Sequence, residues 1–197
     1  MRIGLLGGSF NPIHNGHIAL GTTMLSAMSL NEVWYLVSPQ NPLKRHSTEL
    51  IDENIRLKIV SAALEGYPHL VASDYEFRLE RPSYTWNTLQ HLKSDYPSYR
   101  FILIIGGDNL EKFHKWAHSQ DILDNYEIAV YPRNQSDIPD WAHEHKNITI
   151  VDVPLIDISS TQLREMMRQE KDITPYMPQK AYHELLTNQP KAYRNND

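Results

Sequence analysis

The chain has 197 residues and a mass of 22.9 kDa, which suits one domain or two at most and a full core without covalent staples. Cysteine is absent, so a disulfide framework, a thiolate nucleophile and a Cys-ligated zinc or iron–sulfur site are excluded. A net charge of −5 gives no basic footprint for nucleic acid, and no window approaches the roughly 18 apolar residues of a membrane span.

Apolar runs and helical periodicities alternate along the chain. Residues 2–6 read as a strand ended by Gly7-Gly8, and 18–28 as a helix. Strands at 33–37, 70–72, 101–105, 128–131 and 148–151 alternate with helices at 53–64, 84–92 and 110–123. Helices at 160–168 and 178–187 close the chain, and 188–197 reads as a flexible tail. The polar stretches 39–50 and 134–146 read as loops and mark no domain boundary. Strands alternating with helices predict an α/β fold: one domain over 1–187 with a doubly wound, mainly parallel sheet, helices on both faces and a C-terminal helical segment. The amino terminus turns polar too soon for a signal peptide, so a cytoplasmic location is expected, with neither nucleic acid nor membrane as a partner.

The most informative segment is Gly7-Gly8-Ser9-Phe10-Asn11-Pro12-Ile13-His14-Asn15-Gly16-His17, between the first strand and the first helix. In an open parallel sheet, ligands bind beyond the carboxyl ends of strands, where glycines admit a phosphate and a helix start presents free N–H groups. His14 and His17 lie three apart, so both rings can face one anion, with Gly16 between them. The alternative for such a pair is half of a zinc site, but no nearby carboxylate supplies a third ligand. Ser159-Ser160-Thr161 has N-cap chemistry, and Arg164 follows one turn later, so amides, hydroxyls and a guanidinium can converge on phosphate oxygens. Gly106-Gly107-Asp108 ends the most apolar strand, which a parallel sheet of this type places beside the first, and its carboxylate can cap the next helix. Ser83-Tyr84-Thr85 opens another helix, whose free N–H groups favour an anion.

Taken together, these blocks make the sequence resemble the nucleotidyltransferases that share an HxGH motif, and within them the bacterial nicotinate-mononucleotide adenylyltransferases. The family's GGxFxPxHxGH stands here as GGSFNPIHNGH, its ISSTxxR at residues 158–164, and its SYTxxTL at residues 83–89. Its IGxDxL...W is matched by residues 105–110 with Trp116, and its YLPxxVxxY by Tyr176-Met177-Pro178 and Tyr182. The resemblance implies a Rossmann-like fold and transfer of the adenylyl group of ATP to nicotinate mononucleotide in NAD biosynthesis. The acceptor phosphate attacks in line, with no covalent intermediate. It implies catalytic roles for His14, His17, Lys44 and Arg164, and ATP contacts from Gly8, Ser9, Phe10, Gly16, Gly106, Asp108, Ile158, Ser160 and Thr161. Ser83, Tyr84, Thr85, Trp116 and Arg133 are assigned to the mononucleotide. Mg²⁺ is expected to arrive with ATP, because no carboxylate cluster forms a dedicated cage. Leu43 replaces the histidine the family often carries before the lysine at Lys44, and Arg133 lacks the Pro-Gly that usually follows. Other readings are a sister transferase using nicotinamide mononucleotide or phosphopantetheine, and a nucleotide sensor without turnover. A homo-oligomer is compatible with the sequence.

Overall fold

The computed structural model describes residues 1–39, 50–132, 138–153 and 158–188. Its strands are β1 (Arg2–Gly8), β2 (Glu32–Val37), β3 (Leu70–Ser73), β4 (Arg100–Gly106), β5 (Glu127–Tyr131) and β6 (Ile148–Ile150). They form one sheet in the order β3-β2-β1-β4-β5-β6, with every neighbouring pair parallel. The chain winds outward from β1 to one edge, returns to lay β4 on the other side of β1, and then winds to the opposite edge. The order therefore reverses between β1 and β4, and the crevice beyond their carboxyl ends is where such a sheet binds ligands.

β1 runs two residues beyond the predicted strand, with Gly7 opposite Leu36 and Gly8 opposite Val37. Parallel pairing uses only backbone groups, so glycines inside a central strand are held by their neighbours on both sides.

The helices are α1 (Asn15–Ala27), α2 (Glu53–Leu64), α3 (Thr85–Asp95), α4 (Gly107–Leu110), α5 (Ser119–Asn125), α6 (Asp140–Glu144), α7 (Ser160–Arg168) and α8 (Gln179–Thr187). Both sheet faces are covered. In β4, Ile102 and Ile104 pack with Met24, Ile59, Leu163 and Leu185 of α1, α2, α7 and α8. The intervening Phe101, Leu103 and Ile105 pack with Leu89, Leu92 and Ile122 of α3 and α5. A strand buried on both faces has no polar alternation, which is why residues 101–105 are the most apolar run of the sequence.

Two predicted elements differ. Residues 110–123 do not form one helix: α4 gives way to a 3₁₀ turn at Phe113–Lys115, and α5 starts only after His118, whose φ of 58° is left-handed. Leu110, Phe113, Ile122 and Leu123 still share one core, because the separate pieces present them to the same sheet face. The periodicity was satisfied by tertiary packing rather than by one helix. Conversely, the predicted loop 134–146 contains α6, where Ala142 alone is buried, so no apolar stripe announced it.

One close approach fixes α1 over β2. A Cβ at Gly21 would lie 2.1 Å from the hydroxyl of Tyr35, and that hydroxyl donates to the carbonyl of His17 at 2.8 Å. The Tyr35 ring is fully buried, and burial drives its phenol well above the usual range. The contact holds the first turn of α1 at a set height above the sheet.

Candidate active site

After β1 the chain turns sharply. Phe10 takes a left-handed backbone (φ 45°), a conformation costing roughly 1–2 kcal/mol for a residue with a side chain. Its ring is buried against Tyr35 and edge-on to His17, with centroids 5.6 and 5.2 Å apart. His14 is the N-cap of α1 and His17 is its third residue, so the two rings lie 3.8 Å apart between centroids, tilted by 38°. His17 Nδ1 accepts the backbone N–H of His14 at 3.2 Å. A neutral His17 therefore carries its proton on Nε2. Ser9, Gly8 and Gly16 are half-buried beside this pair, and His14 is buried.

Helix α7 docks onto the same loop. Ser159 and Gln162 form a reciprocal capping box: the serine hydroxyl accepts from Gln162 N–H at 3.2 Å, and the glutamine carbonyl accepts from Ser159 N–H at 2.7 Å. With its own cap satisfied, the helix turns Ser160 and Arg164 outward. Ser160 Oγ donates to the carbonyl of Pro12 at 2.8 Å, and Arg164 Nη1 donates to the carbonyl of Asn11 at 2.9 Å. Arg164 Nη2 also reaches the hydroxyl of Thr161 at 3.2 Å. Two motifs separated by about 150 residues thus meet at one loop. Ile158 packs half-buried at the edge of the core below.

At the end of β4, Gly106 itself is the N-cap of α4 and Asp108 lies two residues inside, so the aspartate is not the cap. A Cβ on Gly106 would stand 2.5 Å from Asp108 Oδ1; glycine is what lets the carboxylate fold back on the strand end. Trp116 is half-buried against Phe113, with centroids 5.3 Å apart. Its indole N–H is buried without a hydrogen-bond partner among the described residues, an orphaned donor of the kind that ligands satisfy. His118 stacks on Trp86 at 5.4 Å and so ties the Trp116 segment to the start of α3. There Tyr84 is the exposed N-cap and Thr85 opens the helix, while Ser83 is buried with its hydroxyl turned inward to Glu76 at 2.9 Å. Lys44 and Arg133 lie outside the described residues.

Sequence reasoning missed two buried charged side chains. Arg56 is fully buried; it donates to the carbonyls of Ser9, Ser38 and Ile51 at 2.7, 2.8 and 2.8 Å. It shares the buried face of α2 with Ile59, Val60 and Ala63, so a charge on an apolar stripe was the available signal. Glu76 sits in a 3₁₀ turn with no periodicity, and nothing in the sequence marked it. Burial pushes its carboxyl above the ordinary range, partly opposed by hydroxyl hydrogen bonds from Ser83, Thr88 and Ser38. Among the described residues, no three His, Asp or Glu side chains are grouped to hold a metal ion. The site is instead rich in N–H and O–H donors, the equipment of an anion site.

Residues 5–166 match the cytidylyltransferase-like family. A Cytophaga hutchinsonii protein named "Probable nicotinate-nucleotide adenylyltransferase" is 46% identical over 195 residues, covering 99% of this chain and all of that one. A Flavobacterium psychrophilum protein of the same name is 46% identical, covering 92% of this chain and 94% of that one. Among solved structures, Plasmodium falciparum nicotinic acid mononucleotide adenylyltransferase complexed with NaAD superposes with a TM-score of 0.79 at 17% identity, covering 94% and 95% of the two chains. That last likeness is one of fold. With sequence identity this high over nearly the whole length, the chain belongs to the cytidylyltransferase-like family and, within it, to the nicotinate-nucleotide adenylyltransferases.

Proposed function

We propose that this enzyme transfers the adenylyl group of ATP to nicotinate mononucleotide, giving nicotinate adenine dinucleotide and pyrophosphate in NAD biosynthesis. The observation that carries the reading is the junction of the His14/His17 loop with Ser160 and Arg164 at the switch point beside Asp108.

The 5′-phosphate of the mononucleotide is already an anionic nucleophile. Its oxygen attacks the α-phosphorus, the new O–P bond forms, and the α–β bridging bond breaks with its electron pair leaving on pyrophosphate. No side chain needs to be adenylylated or to abstract a proton, so catalysis is positioning and stabilisation of charge. His14, the Nε2–H of His17, Lys44 and Arg164 serve the triphosphate. Gly8, Ser9, Phe10, Gly16, Gly106, Asp108, Ile158, Ser160 and Thr161 shape the ATP side. The start of α3 at Ser83, Tyr84 and Thr85, with Trp116 and Arg133, receives the mononucleotide. Mg²⁺ enters as part of the Mg·ATP substrate, in keeping with donor groups that suit phosphate oxygens better than a cation. We read residues 1–187 as one cytoplasmic catalytic domain; Asn188 caps α8 through its side chain on the Glu184 carbonyl, and 189–197 lie outside the described residues.

The test is pyrophosphate release from Mg·ATP with a panel of acceptors: nicotinate mononucleotide, nicotinamide mononucleotide, phosphopantetheine and glycerol phosphate. Nicotinate mononucleotide should exceed the nicotinamide form in kcat/KM by about ten- to a hundredfold, the worth of a charge-assisted hydrogen bond that a neutral amide forfeits. Equal or reversed values would overturn the acceptor assignment. Nucleotide binding without turnover on any acceptor would make the chain a sensor.

A further inference from the structure

We propose that Glu76 is a positioning residue for the acceptor: its buried carboxyl gathers the hydroxyls of Ser83 and Thr88, and so keeps the first turn of α3 open and correctly aimed. The proposal rests on the reading of residues 83–85 as the mononucleotide end of the crevice.

Both carboxyl oxygens are engaged by α3 and its approach. Ser83 Oγ donates to Oε2 at 2.9 Å, and Thr88 Oγ1 donates to Oε1 at 3.1 Å. Ser38, just beyond β2, lies close enough to oppose in part the rise that burial imposes on this carboxyl. Burying a carboxyl is expensive, and an apolar side chain would fill the same volume without that cost, so the group is best explained by what it holds.

What it holds is a helix start with no cap of its own. The N-cap of α3 is Tyr84, which makes no side-chain capping bond, so the first N–H groups remain available to an anion. Ser and Thr hydroxyls near a helix start ordinarily compete for exactly those N–H groups or for the local carbonyls. Here Thr88 Oγ1 also lies 3.3 Å from the Tyr84 carbonyl, within reach of that alternative. Glu76 takes the Ser83 hydroxyl and shares that of Thr88 with the Tyr84 carbonyl. It also fixes the turn relative to the ATP loop: the Ser38 carbonyl accepts from Arg56 Nη1 at 2.8 Å, and the same nitrogen donates to the Ser9 carbonyl at 2.7 Å. Arg56 thus joins the loop after β1 to the end of β2, and Glu76 joins the adjacent turn to Ser83 at the approach to α3.

Steady-state kinetics with each substrate varied, alongside thermal melts, test this on the wild type, Glu76→Ala and Glu76→Gln. Glu76→Ala should raise the KM for nicotinate mononucleotide by about tenfold or more, the scale of a misplaced binding group, while the KM for ATP stays within about twofold. Glu76→Gln keeps the shape and can still meet both hydroxyls, and should restore the acceptor KM to within about threefold of wild type. Equal rises in both KM values, or a loss of melting temperature with the acceptor KM unmoved, would show a merely structural role and overturn the proposal. Should Glu76→Ala fail to fold, Thr88→Val takes its place, with a smaller selective rise expected; an unchanged acceptor KM overturns the idea equally. The underlying reading fails separately and visibly: the wild type would not turn over nicotinate mononucleotide, or Tyr84→Ala would leave its KM unchanged, and either result removes the proposal as well.

Discussion

At the scale of single residues, His17 combines two duties that can be separated. Its Nδ1 closes the start of α1 by accepting the His14 N–H, and its Nε2–H is the group that the proposed mechanism assigns to the reacting phosphates. His17→Ala should lower kcat by about a hundredfold or more through lost charge stabilisation. It should also cost about 1 kcal/mol of stability, the usual worth of a cap, as read by denaturant unfolding. A variant that loses stability but keeps its kcat would leave His17 a purely structural cap. The tautomer also predicts a pH profile. Because the donor is an N–H of the neutral ring, kcat at saturating Mg·ATP should rise through about pH 6, where a phosphate monoester loses its second proton, and stay level to about pH 8.5. A falling limb above pH 7 in single-turnover measurements would show that the charged imidazolium is required instead.

At the scale of elements, the seating of α1 on β2 decides where the histidine pair stands. Gly21→Ala adds a methyl 2.1 Å from the Tyr35 hydroxyl, so either the helix or the tyrosine must move. Overpacking of this kind costs about 1–3 kcal/mol, against about 1 kcal/mol gained from alanine's helix propensity. The net expectation is a destabilised protein with a raised KM for ATP, since the displaced turn carries His17, whose carbonyl Tyr35 holds. Unchanged melting and kinetics would mean that the helix slides freely at this contact. Helix α7 needs no such seat below it, because its capping box is internal and its anchors, Ser160 and Arg164, reach backbone carbonyls of the loop.

For the whole molecule, the buried Glu76 carboxyl links folding to pH with a definite sign. Burial raises its folded pKa above the ordinary 4.5 of the unfolded chain. Between those two values the folded state keeps a proton that the unfolded state has released, so this group's contribution is full below the unfolded pKa and declines as pH rises through the folded one. Glu165 and Asp172, held low by hydrogen bonds from Gln169 and Thr174, act in the opposite direction: their contributions are present at neutral pH and lost on acidification. Both are fully exposed, so the buried carboxyl should dominate the difference between wild type and Glu76→Gln. Urea midpoints measured from about pH 4 to pH 8 should show wild type losing stability relative to the variant as pH rises. Parallel curves would mean that the Glu76 carboxyl titrates alike in the folded and unfolded states.

By itself the sequence determined the alternation of strands and helices, because short apolar runs and 3.6-residue periodicities are local patterns. It also determined the family, and with it which blocks carry chemistry, since the glycine, histidine, serine and arginine spacings at 7–17 and 158–164 are read without knowing where either segment lies. Only the tertiary structure decided that Ser160 and Arg164 close on the carbonyls of Pro12 and Asn11, that 110–123 breaks into pieces serving one core, and that Ser83 faces inward. It alone disclosed Arg56 and Glu76. The physical reason is that each outcome depends on what the folded chain packs together: carbonyls about 150 residues away for Ser160 and Arg164, one apolar core for 110–123, and a buried carboxyl for Ser83. A buried arginine or glutamate leaves no period of its own; its role exists only once the sheet has brought Ser9, Ser38 and Ser83 to the same edge.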